Sequence, residues 1–175
     1  EDNDSTLAIY DPATSTWSFI ENGLNAGTTN ITTDGTYLYL AGDGVFKRYD
    51  PISNVWTDLT LPTMVLTGHG GLAFHDGNIY AHEGSGFTGF ERYTISSGQW
   101  QALAPVPGGT VVGSAIDPVL KRYYAYGSFD GKNLYEYDIT TNLWNVWTLP
   151  VRVNDGGMSF VKQNFNDGLY FIQGT

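Results

Sequence analysis

Short apolar runs alternate with turn-forming residues along the chain, in an order that repeats. An apolar run such as 70–74 or 111–116 precedes a second run rich in tyrosine and aliphatic residues. The Asp-Gly pairs at 34–35 and 76–77 separate two such runs and are typical of a tight hairpin turn with positive φ. The pattern predicts short antiparallel strands, and the near-continuous apolarity of the second runs predicts that both their faces are covered. The second runs are 36–42, 78–84, 122–128 and 168–174.

A tyrosine followed seven residues later by a tryptophan occurs four times. The pairs are Tyr10 and Trp17, Tyr49 and Trp56, Tyr93 and Trp100, and Tyr137 and Trp144. Turn formers such as Asp-Pro lie between the two rings, so each pair predicts a third and a fourth strand joined by one hairpin turn. We expect these eight residues to be structural repeat positions, each burying its ring between adjacent units with its polar atom near the rim.

Large apolar residues flank each tyrosine–tryptophan pair at fixed distances. Leu7, Phe46, Phe90 and Leu134 precede the tyrosine by three residues, and Ile20, Leu59, Leu103 and Trp147 follow the tryptophan by three. Because Trp147 replaces an aliphatic residue of the other units, we expect it to be buried. The motif tryptophans are 39, 44 and 44 residues apart, close to the repeat of about 40 to 50 residues that is typical of four-stranded propeller blades. The sequence therefore predicts an all-β propeller of four blade equivalents.

One domain, residues 1–175, is expected to hold the whole array. Its predicted parts are a half blade at 1–22, blades at 23–63, 64–107 and 108–150, and a complementary half blade at 151–175. The two halves together make a fourth blade, split between the N- and C-termini. The blade can close within one chain, in a ring of two chains or along an open polymer, because exposed sheet edges associate. Alternatively, the chain is part of a longer propeller.

The segments "VFKRYDPISNVW" and "GNIYAHEGSGFTGFERYTISSGQW" resemble kelch repeats, and the resemblance covers nearly the whole chain. Kelch units carry a double glycine after the second strand; here only one glycine of each pair is present, at Ala41-Gly42, Glu83-Gly84, Gly127-Ser128 and Gly174-Thr175. The chain therefore looks like a divergent kelch-like propeller. The resemblance implies closure of the ring through a blade shared by the termini. Kelch-like domains occur in carbohydrate oxidases and sialic acid mutarotases, so the resemblance also implies a carbohydrate-related function as an alternative.

Composition narrows the classes of function. The 8 Lys and Arg against 18 Asp and Glu leave a net charge of −10, which disfavours nucleic acid as a partner. No apolar run is long enough for a membrane span. The chain has no cysteine, which excludes disulfides, a cysteine nucleophile and the cysteine–tyrosine copper site of kelch-fold oxidases. Two sequons, at Asn3 and Asn30, are candidate N-glycosylation sites and favour an extracellular or cell-surface location.

Candidate chemistry is sparse. His69, His75 and His82 with Glu83 suggest a metal site, but their spacing matches no known ligand motif, so a structural role is favoured and no metal is expected. The oxygen-rich loops 1–6, 129–133 and 153–157 are explained by turn chemistry rather than calcium. Arg92 and Glu136, at equivalent positions in successive units, are expected to form an ion pair across a blade interface.

The expected function is that of a non-catalytic, extracellular structural or interaction module that associates with copies of itself through the split blade. No cofactor is expected, because no phosphate loop, nucleophile elbow or paired-carboxylate motif occurs. The alternative is a glycan-binding or carbohydrate-active propeller of oxidase or mutarotase type. That alternative predicts an exposed aromatic or arginine cluster, with Trp147 as a candidate for stacking on a sugar ring.

Overall fold

The computed structural model describes residues 6–21, 30–42, 44–67, 70–108, 111–127, 131–153, 158–161 and 168–171. Every regular element in these ranges is a β-strand, so the predicted all-β class is confirmed. The strands are β1 (Thr6–Asp11), β2 (Thr16–Glu21), β3 (Asn30–Thr33), β4 (Leu38–Gly42), β5 (Val45–Asp50), β6 (Val55–Asp58), β7 (Gly71–His75), β8 (Asn78–His82), β9 (Phe90–Thr94), β10 (Gln99–Ala102), β11 (Val111–Asp117), β12 (Arg122–Gly127), β13 (Asn133–Asp138), β14 (Leu143–Thr148), β15 (Met158–Val161) and β16 (Gly168–Phe171). Among the described residues, no helix has the length and apolarity needed to cross a membrane.

The strands form three four-stranded and two two-stranded antiparallel sheets. Sheet I contains β3 to β6, sheet II contains β7 to β10 and sheet III contains β11 to β14, each with its strands in chain order. β1 and β2 form the N-terminal hairpin, and β15 and β16 form the C-terminal hairpin. In the three complete sheets, hydrogen bonds join the second strand to the third, which is the pairing that neither hairpin contains.

The second strands of sheets I to III are buried on both faces, as their apolar pattern predicts. Tyr39 and Leu40 on β4 and Ile79 and Tyr80 on β8 are buried, although neighbouring side chains on a strand point to opposite faces. Each of these strands therefore lies between two layers of side chains. The β7–β8 hairpin turns at Asp76 and Gly77 with φ of 46° and 72°, which confirms the predicted positive-φ turn there. At the other predicted pair only Gly35 has positive φ, because the β3–β4 turn is longer and runs from Asp34 to Tyr37.

The first strands lie side by side in chain order. β3 contacts β7, β7 contacts β11, and β11 contacts β15. The four strands line one open cavity of about 460 Å³ through residues 31–33, 72–74, 114–116 and 158–160. A bulge in β11 at Gly113, with φ of 62°, shifts the strand register, and the next residue, Ser114, donates a 2.9 Å hydrogen bond to the Leu72 carbonyl of sheet II.

Candidate interaction surface

The four motif hairpins have the same register. In each, the tyrosine lies directly opposite the tryptophan, and the ring centroids are 4.8 to 5.1 Å apart. The fifth residue after each tyrosine has positive φ: Ser15, Asn54, Gly98 and Asn142. The sequence analysis did not predict a special role for this position, although it is always serine, asparagine or glycine. Its left-handed backbone closes the turn that brings the two rings together.

Aspartate side chains fix three of these turns from within, and in the first of them Asp11 accepts the Ala13 amide at 2.8 Å. The Asp50 carboxylate accepts hydrogen bonds from the Ser53 hydroxyl and from the Ile52 amide, and these bonds lower the pKa of Asp50. Asp138 accepts bonds from the Thr140 and Thr141 amides in the same way. The aspartate after the motif tyrosine is thus a turn residue, in agreement with its predicted role.

The motif rings of sheet II pack on sheet I. Tyr93 and Trp100 lie 5.0 and 5.1 Å from Phe46, measured between ring centroids. Trp100 Nε1 donates a 2.7 Å hydrogen bond to the carbonyl of Thr60, four residues after the tryptophan of sheet I. Sheet II therefore holds sheet I by a ring contact and by a hydrogen bond from the motif indole.

Sheets III and II repeat this contact. Tyr137 and Trp144 lie 4.8 and 5.0 Å from Phe90, and Trp144 Nε1 donates to the Ala104 carbonyl at 2.8 Å. The acceptor is again four residues after the tryptophan of the preceding sheet. Asn142 adds a second bond, because its Oδ1 accepts the Ala104 amide at 2.9 Å and the Tyr137 hydroxyl at 2.8 Å.

Within the chain, the N-terminal hairpin leaves its motif rings exposed. Tyr10 is 48% and Trp17 is 62% exposed, whereas Tyr49, Tyr93 and Tyr137 are buried. The expected burial of all eight motif rings therefore does not extend to this hairpin. The physical reason is the missing neighbour: β1 pairs only with β2 in the described chain, so no second strand covers it and no preceding sheet receives its rings.

A second surface, with an exposed tryptophan beside a half-buried leucine, lies on sheet III. Leu134 on β13 pairs directly with Trp147 on β14, and we call these two residues the sheet III patch. Leu134 occupies the position at which sheets I and II place Phe46 and Phe90, the residues that receive the next sheet's rings. Trp147 is 54% exposed, so the predicted burial of this residue is wrong.

Comparison with the equivalent residues of sheets I and II explains why Trp147 is exposed. Leu59 and Leu103 occupy the same position in sheets I and II and are half-buried in the clusters between sheets. Beyond sheet III, the described chain has only the two strands β15 and β16, and β15 contacts the first strand of sheet III. The outer strands β13 and β14 thus have no third and fourth strand to cover them.

One buried donor marks the junction after the N-terminal hairpin. Trp56 Nε1 is buried and has no hydrogen-bond partner among the described residues. Trp100 and Trp144 use the same atom to bond the preceding sheet. By this repeat, the acceptor for Trp56 would be the carbonyl of Glu21, four residues after Trp17. The contact that joins the other units is therefore not made at this junction.

The candidate metal ligands are not brought together. His75 and His82 lie at opposite ends of the β7–β8 ladder, and His69 is outside the described residues. His82 is buried and its Nδ1 lies 2.6 Å from the Tyr123 hydroxyl, while burial raises the pKa of Tyr123. Glu83 accepts two backbone amides instead of facing a cation. Within the described ranges, no group of three or more ligating side chains occurs.

The expected ion pair between Arg92 and Glu136 is not the one that forms. Glu136 lies 3.8 Å from Arg122 on the neighbouring strand of its own sheet, and Arg92 donates to Gln101. Strand neighbours within a sheet are closer than equivalent positions in successive sheets, so the short cross-strand pairs form.

Of the two candidate glycosylation sites, the structure describes only Asn30. Asn30 is half-buried at the start of β3, and its amide nitrogen donates a 3.3 Å hydrogen bond to the Thr67 carbonyl. A glycan on this nitrogen would have to displace that bond. Asn3 lies outside the described residues, as do residues 1–5, 129–130 and 154–157 of the oxygen-rich loops.

The wall of the 460 Å³ cavity contains serine, threonine and apolar side chains. None of the described residues that line it is titratable, so this part of the wall offers no general acid or base.

Trp144→Phe is expected to lower the free energy of unfolding by about 1 to 2 kcal/mol, because it removes the hydrogen bond to the Ala104 carbonyl and part of a packed ring. Trp17→Phe is the matched control: its ring is exposed, so we expect a change within about 0.5 kcal/mol. Urea unfolding at a concentration where the chain is monomeric measures both. Equal losses would contradict the contrast between the two hairpins.

Comparison with known proteins identifies a similar fold but no family. No protein-family model matches the chain, and no curated protein matches it. The solved structure of YjhT is similar, with a TM-score of 0.65 at 14% sequence identity, over 83% of this chain and 60% of the YjhT chain. The chain thus spans about 60% of the length of this structural neighbour and shares its fold over most of its own length.

Proposed function

We propose that the chain is a kelch-like β-propeller segment in which sheets I to III are three blades and the two hairpins are the halves of a fourth. Three observations support this arrangement. The first strands follow one another around one cavity, successive sheets repeat the same tyrosine–tryptophan contact, and the fold matches that of YjhT.

On this arrangement, the protein is a non-catalytic interaction module that acts outside the cell and associates with copies of itself, without a cofactor. The observation that carries the proposal is the state of the two hairpins. Within the described residues, β1 has the position of a third strand but pairs with no second strand, and β16 has the position of a second strand but pairs with no third. Unpaired N–H and C=O groups on such edges are templates for another strand, so β16 of one copy accepts β1 of another.

The register that we expect for this pairing follows that of the complete sheets. The motif tyrosine lies opposite Leu38 in sheet I, Ile79 in sheet II and Tyr123 in sheet III. The position of these residues relative to the first strand is held by Leu169 in β16, which lies opposite Phe160. We therefore expect Leu169 of one copy to lie opposite Tyr10 of the next. By the same register, Tyr170 lies opposite Ile9 and Phe171 opposite Ala8.

Engineered cysteines test this register directly, because the natural chain has no cysteine. Ile9→Cys in one sample is mixed with Tyr170→Cys in a second and oxidised, and Ala8→Cys is mixed with Phe171→Cys in the same way. Neighbouring antiparallel pairs alternate between the wide and the close spacing, so one of the two mixtures has the shorter Cβ separation. The expected product is a disulfide-linked dimer of twice the 19.2 kDa chain mass.

Two controls decide between arrangements. A mixture of Ile9→Cys and Leu169→Cys places the thiols on opposite faces, and we expect no crosslink above background. A single chain carrying both Ile9→Cys and Tyr170→Cys is expected to give linked oligomers. A linked monomer would overturn assembly between copies in favour of a ring closed within one chain. The absence of a crosslink from every pair would overturn the strand pairing itself.

The extracellular location is supported by the sequons and the composition alone. Mass spectrometry of the protein secreted from a glycosylating host tests it. We expect glycan mass on the peptide that contains Asn3 more readily than on the peptide that contains Asn30, because the Asn30 amide already bonds the Thr67 carbonyl. An unmodified secreted protein would remove this support.

A second candidate function is glycan binding, and the exposure of Trp147 favours it. An exposed indole can stack on a sugar ring, and Trp147 is 54% exposed on an outer strand. A glycan array tests this candidate, with Trp147→Ala as the control protein. Binding that is lost in the variant would support glycan recognition, and an array without a binder would remove it.

A further inference from the structure

We infer that the sheet III patch, Leu134 and Trp147, is the docking site for Tyr10 and Trp17 of a second copy, with Trp17 Nε1 donating to the Thr148 carbonyl. The inference rests on the proposed self-association and specifies which side chains hold the two copies together. On this inference, the exposed Trp147 binds a second copy of the chain rather than a glycan.

The internal repeats supply the template for this contact. At two junctions, a motif tyrosine and tryptophan pack on the large apolar residue three positions before the tyrosine of the preceding sheet. At both, the indole nitrogen bonds the carbonyl four residues after the preceding tryptophan, at 2.7 and 2.8 Å. Applied once more, the same rule selects Leu134 as the apolar residue and Thr148 as the acceptor.

The orientation of the patch agrees with this rule. Tyr137 and Trp144 face sheet II, where they contact Phe90. Leu134 and Trp147 are each three residues away along their strands, so they lie on the opposite face of sheet III. That face is already covered near the first strands, where Met158 of β15 packs against Val112 and Tyr126. Its outer half is the part that a third and a fourth strand would cover.

The docking surfaces are both apolar and both exposed within one chain. Tyr10, Trp17 and Trp147 are 48%, 62% and 54% exposed. Aromatic residues of this kind supply most of the binding energy at protein interfaces when a partner buries them. Strand pairing between β16 and β1 would bring the N-terminal hairpin beside sheet III, so the two contacts form in one docking event.

The N-terminal hairpin is also missing its usual contact to the sheet that follows it. The buried Trp56 Nε1 has no partner in the described chain, although Trp100 and Trp144 show what partner the repeat provides. A hairpin seated as a blade of the second copy can present the Glu21 carbonyl to Trp56. The assembly would then complete the junctions on both sides of the hairpin.

The experiment measures the Kd of self-association by analytical ultracentrifugation for single substitutions of exposed residues. Trp17→Ala and Trp147→Ala are each expected to raise Kd about tenfold or more. The double substitution is expected to raise it by less than the product of the two effects, because the residues contact each other's surface. Phe87→Ala is the control: Phe87 is 57% exposed, lies between β8 and β9, and is expected to leave Kd unchanged.

The outcomes separate this inference from the proposed function. Unchanged Kd values for both tryptophan variants, together with the Ile9–Tyr170 crosslink, would overturn the docking site and leave strand-mediated assembly standing. A chain that stays monomeric and gives no crosslink would overturn both. A monomeric chain that loses glycan binding on Trp147→Ala would replace the second copy with a glycan as the occupant of the patch. Because the substituted residues are exposed, unchanged thermal unfolding is expected to show that the variants are folded.

Discussion

Phe90→Ala is expected to lower the free energy of unfolding by about 3 to 5 kcal/mol, the usual cost of removing a buried phenyl ring. Phe90 is 2% exposed and lies between sheets II and III. Its ring centroid lies within 5.0 Å of three other rings: Tyr123, Tyr137 and Trp144. Because these rings come from three strands of a different sheet, β12, β13 and β14, the cavity left behind cannot close by moving one side chain.

Chemical denaturation of the purified variant measures this loss. Phe19→Ala is the matched control, since Phe19 is 68% exposed on the N-terminal hairpin and its removal is expected to change the stability by less than about 0.5 kcal/mol. A loss of less than about 1 kcal/mol for Phe90→Ala would contradict the close packing of sheet III on sheet II.

Glu91→Ala is expected to destabilise the fold by about 3 kcal/mol, through hydrogen bonds rather than through packing. Glu91 is 4% exposed, and its carboxylate accepts bonds from the amides of Thr63 and Met64 and from the Thr63 hydroxyl. Alanine leaves the Met64 amide buried without an acceptor, and the penalty for such a group exceeds the net value of an ordinary hydrogen bond.

Glu91→Gln separates the two causes of this loss. Glutamine retains one acceptor oxygen and the side-chain volume, so it is expected to recover a large part of the stability that alanine loses. Asp58→Asn serves as a surface control: its pair with Lys47 is 2.8 Å long, but the Asp58 side chain is 81% exposed, so a change within about 0.5 kcal/mol is expected. Equal stabilities for the alanine and glutamine variants would show that the hydrogen bonds to residues 63 and 64 contribute nothing.

Glu91 also illustrates what the linear pattern overlooked. Its equivalents on the third strands of the other sheets are Lys47 and Tyr135, so the position is not conserved in type between units. Together with Glu83, which accepts the Val65 and Gly89 amides, it holds the connection between sheets I and II. The sequence shows only that an acidic residue stands where the other units have none. It does not show what Glu91 binds, because its partners lie 27 and 28 residues earlier in the chain.

The sequence by itself determined the elements that depend on near neighbours. Alternating apolar runs, the positive-φ turn at Asp76 and Gly77, and the pairing of each motif tyrosine with its tryptophan all follow from interactions within about ten residues. Because these local rules repeat along the chain, they were enough to predict an all-β array with buried second strands.

Only the tertiary structure decided which copies of a repeated position are covered. Trp147 and Leu103 obey the same spacing, yet Trp147 is exposed because no third and fourth strand lie beyond sheet III in the described chain. Tyr10 is exposed and Tyr49 is buried although they too obey the same spacing, because the N-terminal hairpin is not part of a complete sheet in the described chain. Likewise, His82 was a candidate ligand by type and spacing, but a strand 41 residues away in sequence placed the Tyr123 hydroxyl beside it. Burial and polar partners are set by what packs on a residue from another sheet, and that information is not present in the local pattern.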